Sequence, residues 1–257
     1  MHKAKACQLS FMRVILLLGK AICCWGRMPT KYLLQVRGWI NFFPEEKIIV
    51  TGNPVRAAIA NASITKRDAL TFFGLQEDKK TILIVGGSLG AQSINETMLY
   101  SIKQIKEAGL QLIWQTGKTD KHKYKAMAKG RDYLWINEFI TRMELAYAAA
   151  DIVVSRAGAM AVTELCVVGK PAIFVPYPFA AEDHQTANAM ALVEKEAALM
   201  VKDSEVNGKL VNAVIALSKD EALQQKLKTN ISALAIRNAD EVIAREILAT
   251  VSEKGVR

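Results

Sequence analysis

The chain has 257 residues, of which 51% are hydrophobic and 23% are charged. This length allows one large α/β domain or a domain with an additional segment. The composition is typical of a globular protein and excludes a disordered chain. No stretch has the roughly 18 uncharged apolar residues that a membrane-spanning helix needs, so we expect no ordinary transmembrane segment.

The formal net charge of +9 is concentrated near the start of the chain. Residues 1–44 contain seven of the 34 Lys and Arg residues and no Asp or Glu, which leaves 27 basic and 25 acidic residues in the remainder. A basic patch that binds nucleic acid would have to lie in the folded body. Because that body is nearly neutral, we predict no nucleic-acid partner.

The cysteines are equally uneven. Cys7, Cys23 and Cys24 lie in the opening stretch, and Cys166 is the only cysteine after it. One thiol in a large domain is typical of a reducing cytoplasm. The three histidines are scattered and no Cys or His spacing fits metal ligands, so we expect neither a metal nor a cofactor.

Residues 1–41 form an anomalous basic segment. A signal peptide would need an unbroken apolar core, but Lys20 interrupts the apolar stretch Val14–Cys24. A surface-binding helix is a second interpretation, which Pro29 and several glycines oppose. A two-base frame shift over Lys20–Trp39 can encode GNMLLGKNADKIFVAGKRM, a helix-like piece followed by a strand. We therefore favour an out-of-frame segment or a remnant of a preceding domain.

Residues 42–257 alternate short apolar runs with longer amphipathic segments. The predicted strands are Ile48–Thr51, Thr81–Val85, Leu110–Thr116, Tyr133–Ile136, Asp151–Ser155, Pro171–Pro176 and Ala197–Val201. The predicted helices lie near 91–107, 119–129, 141–149, 160–168 and 185–195, with three more at 204–218, 219–236 and 240–251. This alternation predicts an α/β fold, a Rossmann-like doubly wound parallel sheet covered on both faces.

The first candidate binding loop is GGSLGA, Gly86–Ala91, between a predicted strand and a predicted helix. Glycines allow the backbone to approach a phosphate, the helix start supplies N–H donors, and Ser88 adds a hydroxyl. A glycine-rich turn that serves only tight packing is the alternative. The loop lacks both the G-x-G-x-x-G fingerprint and the G-K-[ST] of a P-loop nucleotide hydrolase.

The second candidate loop is SRAGAMAVTE, Ser155–Glu164. A diphosphate at the helix start near Ala159 would leave Glu164 able to accept hydrogen bonds from ribose hydroxyls. In the alternative interpretation, Glu164 is a solvated helix residue and Arg156 pairs with a nearby carboxylate.

The third candidate loop is PYPFAAEDHQTANA, Pro176–Ala189, which brings several carboxylates and amides to a helix start. Such groups can bind the hydroxyls of a sugar. Alternatively, Asp183 only caps the helix.

Five motifs in order, TGNPVR, VGGSLGA, NEFI, SRAGAMAVTE and EDHQTANA, resemble the UDP-N-acetylglucosamine transferases that make the second lipid intermediate of bacterial peptidoglycan. The resemblance covers about residues 42–257 and implies the C-terminal, donor-binding domain of a two-domain GT-B glycosyltransferase. By family it implies an inverting hexosyltransferase that carries N-acetylglucosamine from UDP to a lipid-linked muramyl-pentapeptide. It also implies peripheral attachment to the cytoplasmic face of the inner membrane.

The resemblance also implies the contacts of the donor. It implies that the diphosphate contacts Arg56, Ser88 and the phosphate-loop glycines Gly86, Gly87 and Gly90. It implies that Phe139 and Ile140 contact the uracil and that Glu164 contacts the ribose. It also implies that Gln185 contacts the sugar, and that the nucleotide and phosphate are flanked by Arg156, Ala159, Met160 and Ala161.

The sequence departs from this family in one respect. The family's N-terminal domain has a glycine-rich loop ending in His, for which this sequence has no match, and no catalytic base can be assigned. We therefore expect this chain alone to bind UDP without transferring sugar. Two alternatives stay open, namely a UDP-sugar-binding fragment without catalysis, and another UDP-sugar enzyme such as a glycosyltransferase or an epimerase.

Overall fold

The computed structural model describes residues 32–34, 45–118 and 121–255. The chain falls into two compact units. The larger unit is Arg56–Ala235, and the smaller contains the described residues before Arg56 together with those from Ile236 onwards.

The strands and helices of the described residues are as follows. The strands are β1 (Tyr32–Leu34), β2 (Ile48–Val50), β3 (Lys80–Val85), β4 (Leu110–Gln115), β5 (Leu134–Asn137), β6 (Ile152–Ser155), β7 (Ala172–Phe174) and β8 (Leu199–Met200). The helices are α1 (Ala57–Ala60), α2 (Lys66–Phe73), α3 (Gln92–Glu107), α4 (Lys121–Ala128), α5 (Met143–Ala149), α6 (Ala159–Val168), α7 (His184–Val193), α8 (Val206–Lys219), α9 (Glu221–Ser232) and α10 (Ala239–Gly255).

The larger unit is built on a parallel sheet with the strand order β5-β4-β3-β6-β7-β8. Neighbouring strands in this sheet are all parallel. Helices connect successive strands, as parallel pairing requires. The predicted α/β fold with a doubly wound parallel sheet is confirmed.

Both faces of the sheet are buried, which explains why its strands are predominantly apolar. Ile82 and Ile84 of β3 join a core cluster that includes Met98 of α3 and Leu210 of α8. Leu83 lies between them, points to the other face, and is also fully buried. Central parallel strands covered on both sides have this pattern.

Helix α2 was not predicted, although its sequence carries clear boundary signals. The side-chain hydroxyl of Thr65 accepts a hydrogen bond from the Asp68 amide at 3.1 Å, and Gly74 ends the helix with φ of 65°. This is an N-cap followed by a left-handed C-terminal glycine. Phe73 of α2 packs edge-on against Trp135 of β5, with ring centroids 4.9 Å apart.

The strand predicted at Ile48–Thr51 is present, but the prediction that it belongs to the main sheet was wrong. The strand β2 pairs in parallel with β1, and the two form a separate two-stranded sheet in the smaller unit. An apolar run indicates a strand but does not identify its partner. Apart from Tyr32–Leu34, the anomalous segment 1–41 lies outside the described residues, so its interpretation and the domain boundary at residue 42 stay predictions.

Candidate functional site

The candidate site lies where the direction of chain winding reverses in the sheet. From β3 the chain proceeds through α3 to β4 on one side, whereas from β6 it proceeds through α6 to β7 on the other. Val85, the last residue of β3, is paired with Ser155, the last residue of β6. The first two candidate loops therefore begin side by side at a topological switch point, where open α/β sheets bind ligands.

The glycine-rich loop Gly86–Ala91 is held tightly against the end of β4. Gly90 has φ of 89°, and a Cβ atom there would lie 2.3 Å from the carbonyl oxygen of Thr116. The same carbonyl accepts a hydrogen bond from the side chain of Asn95 at 2.8 Å. Only glycine fits at position 90, so this loop has a packing role as well as any binding role.

Ser88 lies at the tip of this loop and is exposed. Its carbonyl oxygen accepts a hydrogen bond from the amide of Lys118 at 3.3 Å, which fixes the backbone next to the hydroxyl. Helix α3 begins directly after the loop, and no side chain caps its N-terminus. Amides of a first helical turn have no partner within the helix and can bind an anion.

Gln115 links this loop to the predicted uracil contacts, and the sequence analysis missed it. It is only 2% exposed. Its amide nitrogen donates to the carbonyl of Gly87 at 3.1 Å, and its side-chain oxygen accepts from the amide of Ile140 at 3.0 Å. A polar residue at the carboxyl end of a mostly apolar strand, directly before a loop on the ligand side of the sheet, was the available signal.

The two predicted uracil contacts differ in exposure. Phe139 is 53% exposed, whereas Ile140 is buried. A base that used the Ile140 amide would have to displace the Gln115 side chain from it. Of the two residues, the exposed ring of Phe139 is therefore the group that a base could reach without displacing Gln115.

Helix α6 begins at the site with an uncapped N-terminus. Gly158 is its N-cap residue and provides no side-chain hydrogen bond. Met160 in the first turn is half-exposed, whereas Ala159 is buried, and Ala161 lies between these extremes. These small or flexible side chains leave the first turn of a ten-residue helix accessible, and its dipole favours a negative group there.

Arg156 joins three loops at the same edge. Its guanidinium donates to the carbonyls of Val175 and Pro176 at 3.2 and 3.1 Å and to Ser93 Oγ at 3.2 Å. It also forms an ion pair with Asp203. The alternative prediction that Arg156 pairs with a carboxylate is confirmed. Its charge remains at the edge of the site, where it holds the loops together.

Glu164 is buried, so its interpretation as a solvated helix residue was wrong. The residue is 9% exposed. Its Oε2 accepts a hydrogen bond from the Tyr147 hydroxyl at 2.9 Å, and Oε1 lies 3.7 Å from a guanidinium nitrogen of Arg56. Burial, followed by the charge of Glu164, holds the pKa of Tyr147 well above its ordinary value, so the phenol remains a donor.

In the third loop, Gln185 and Asn188 are tied to the backbone of the site. The side-chain oxygen of Gln185 accepts from the Tyr177 amide at 3.0 Å, which leaves its two N–H groups as the donors for a ligand. Asn188 donates to the carbonyl of Ala157 at 3.1 Å. Asp183 occupies the N-cap position of α7, but its carboxylate accepts from the Thr186 hydroxyl rather than from a backbone amide.

The described residues contain no cluster of three or more His, Cys, Asp or Glu side chains that could hold a metal ion. In the same part of the chain, no helix has the length and apolar character needed to cross a membrane.

Comparison with known proteins identifies the family. The model of the glycosyltransferase family 28 C-terminal domain matches residues 81–245, which is more than half of the chain and includes the three candidate loops. The chain belongs to this family. The match begins one residue into β3 and extends past β8, so the loops after β3 and β6 lie within it, whereas Arg56 precedes it.

Two curated relatives of this chain are each named UDP-N-acetylglucosamine–N-acetylmuramyl-(pentapeptide) pyrophosphoryl-undecaprenol N-acetylglucosamine transferase. The protein from Parabacteroides distasonis is 43% identical over 89% of this chain and 63% of its own length. The protein from Bacteroides thetaiotaomicron is 46% identical over 82% of this chain and 58% of its own length. The chain thus spans about three fifths of these relatives.

Solved structures show the same architecture. MurG from Acinetobacter baumannii has a TM-score of 0.64 and 26% identity, covering 85% of this chain and 67% of that one. The UDP-GlcNAc 2-epimerase of Neisseria meningitidis, bound to UDP-GlcNAc, has a TM-score of 0.61 at 16% identity, covering 86% and 62%. The second likeness shows the fold alone.

Proposed function

We propose that the Arg56–Ala235 unit binds UDP-N-acetylglucosamine as the donor of a glycosyl transfer. The observation that carries the proposal is the pair of loops after β3 and β6, which start side by side at the switch point and end in uncapped helix N-termini. Two helix starts at one crevice favour a ligand with two adjacent phosphates. The names of the curated relatives support UDP-N-acetylglucosamine as that ligand.

In this proposal, the parts of the donor are distributed over the loops. The diphosphate lies between the glycine-rich loop and the start of α6, with Ser88 and Arg56 as further donors. The uracil lies against Phe139 and Ile140. The ribose hydroxyls donate to Glu164, and the N–H groups of Gln185 bind the sugar.

We further propose that the protein containing this unit transfers N-acetylglucosamine to a lipid-linked N-acetylmuramyl-pentapeptide. The new bond joins the acceptor oxygen to C1 of the sugar as the bond from C1 to the diphosphate breaks. A general base takes the acceptor proton, and donors at the crevice stabilise the departing UDP. The base is not assigned. Because the acceptor is lipid-linked, the protein would work at a membrane surface, and the family resemblance favours a peripheral protein at the cytoplasmic face of the inner membrane.

Calorimetric titration tests donor binding. We expect saturable binding of UDP and UDP-N-acetylglucosamine, and affinity at least about tenfold weaker for GDP, since a purine does not fit the same backbone contacts. The chain must first show a cooperative thermal transition. A folded chain that gives no saturable heat with either uridine ligand would refute the proposal, and equal binding of UDP and GDP would refute the uracil assignment.

Gln185 tests the assignment of the sugar pocket. Gln185→Glu keeps an oxygen for the Tyr177 amide and removes the N–H donors, so UDP-N-acetylglucosamine should bind about 3- to 10-fold more weakly while UDP affinity is unchanged. Gln225→Glu, an exposed position on α9, is the matched control and should alter neither affinity. An equal loss for both ligands in Gln185→Glu would contradict a sugar-binding role.

A further inference from the structure

We infer that Tyr147 is a positioning residue that orients the Glu164 carboxylate toward the ribose hydroxyls, and so sets the preference of the site for a ribonucleotide. The inference rests on the proposed function, in which Glu164 accepts hydrogen bonds from the ribose. It adds a residue on α5, outside all of the candidate loops.

The contact is a buried hydrogen bond between two helices. Tyr147 on α5 is 5% exposed, and its hydroxyl donates to Oε2 of Glu164 on α6 at 2.9 Å. A hydrogen bond to a charged acceptor in a buried setting is stronger than an ordinary one. The bond therefore fixes the rotation of the carboxylate as well as its position.

The two oxygens of the carboxylate have different surroundings. Oε2 is held by the buried phenol, whereas Oε1 lies 3.7 Å from Arg56, whose side chain is 61% exposed. Oε1, which lies on the side of this exposed side chain, is therefore the oxygen that we assign to the ribose hydroxyls. A carboxylate can accept several hydrogen bonds, so the ribose and Tyr147 do not compete.

Loss of the phenol oxygen would leave Arg56 as the nearer partner of Glu164. The carboxylate would then be free to rotate and to pair more closely with the guanidinium, so Oε1 would no longer be held in place for the ribose. A tyrosine suits the positioning role because its pKa, raised by burial and by the charge of Glu164, keeps the hydroxyl protonated as a donor.

The test compares two ligands that differ only in the ribose hydroxyls, UDP and 2′,3′-dideoxy-UDP, in calorimetric titrations. The wild-type chain should bind UDP about tenfold or more tightly than the dideoxy compound, and Glu164→Gln should reduce that preference. Tyr147→Phe should reduce it by about 3- to 10-fold, with affinity for the dideoxy compound within about twofold of wild type. A purely structural role would weaken both ligands equally.

Two controls complete the experiment. Tyr100→Phe, at a position 78% exposed on α3, should leave both affinities unchanged. Adding Tyr147→Phe to Glu164→Gln should cause no further loss of UDP affinity, because the two residues act through one contact. This double variant also tests the inference if Tyr147→Phe alone folds poorly.

The outcomes separate the two proposals. A wild-type chain that fails to bind UDP refutes the proposed function. A wild-type chain that binds both ligands equally refutes ribose recognition by Glu164 and the inference with it. A preference that Glu164→Gln removes and Tyr147→Phe leaves intact refutes the inference alone.

Discussion

Asn95→Ala should lower the free energy of unfolding by about 2 to 4 kcal/mol, since it removes the partner of two buried polar groups. The side-chain oxygen of Asn95 accepts from the indole N–H of Trp114 at 3.0 Å, and its amide donates to the carbonyl of Thr116 at 2.8 Å. Trp114 is fully buried, so its N–H would lose its partner without gaining water. Urea unfolding followed by circular dichroism measures the loss.

Gln104→Ala, on the same helix α3, is the matched control for Asn95. Gln104 also donates through its side-chain amide, to Asn212 at 3.1 Å, but this bond is exposed to solvent. Its removal should change the free energy of unfolding by no more than about 0.5 kcal/mol. If the two variants lost equal stability, the buried Asn95 network would not be what holds the glycine-rich loop against β4.

Glu164→Ala should weaken UDP binding by about 1 to 3 kcal/mol, as expected when a hydrogen bond to a charged acceptor is lost. The carboxylate is already held in a buried position by Tyr147, so little ordering would be needed when a ribose binds. Calorimetry with UDP measures the change, and thermal unfolding shows that the variant is folded.

The matched control for Glu164 is Glu221→Ala. Glu221 is an exposed carboxylate on α9, paired with Lys80 at 3.2 Å. Its loss removes the same charge from the surface of the unit and should leave UDP affinity within about twofold. Unchanged UDP affinity in a folded Glu164→Ala variant would contradict the role of this residue at the ribose.

The main sheet and the position of its loops could be predicted from the sequence because parallel strands have an unambiguous signature. The run TILIV is apolar at four of its five positions, which fits a strand buried on both faces, and GGSLGA follows it directly. The ligand side of such a sheet is fixed by the strand direction. The loops after β3 and β6 were therefore predicted to lie together, and the structure confirms that they begin side by side.

The contacts between helices could not be predicted in the same way. Glu164 was interpreted from its distance along the helix from Gly158, yet its buried hydrogen-bond partner is Tyr147, which is 17 residues away. The apolar composition of α6, AMAVTELCVV, was the missed signal, since a helix that is apolar on all sides is buried. Gln115 was missed for a related reason, because its partners come from two other loops.

A crystal structure of the chain with UDP tests the central claim most directly. We predict density for the diphosphate between Gly86–Ala91 and the first turn of α6, with the ribose within hydrogen-bonding distance of Glu164 and the uracil beside Phe139 and Ile140. Ordered UDP bound at any other place, with the crevice between the loops after β3 and β6 empty, would contradict the account.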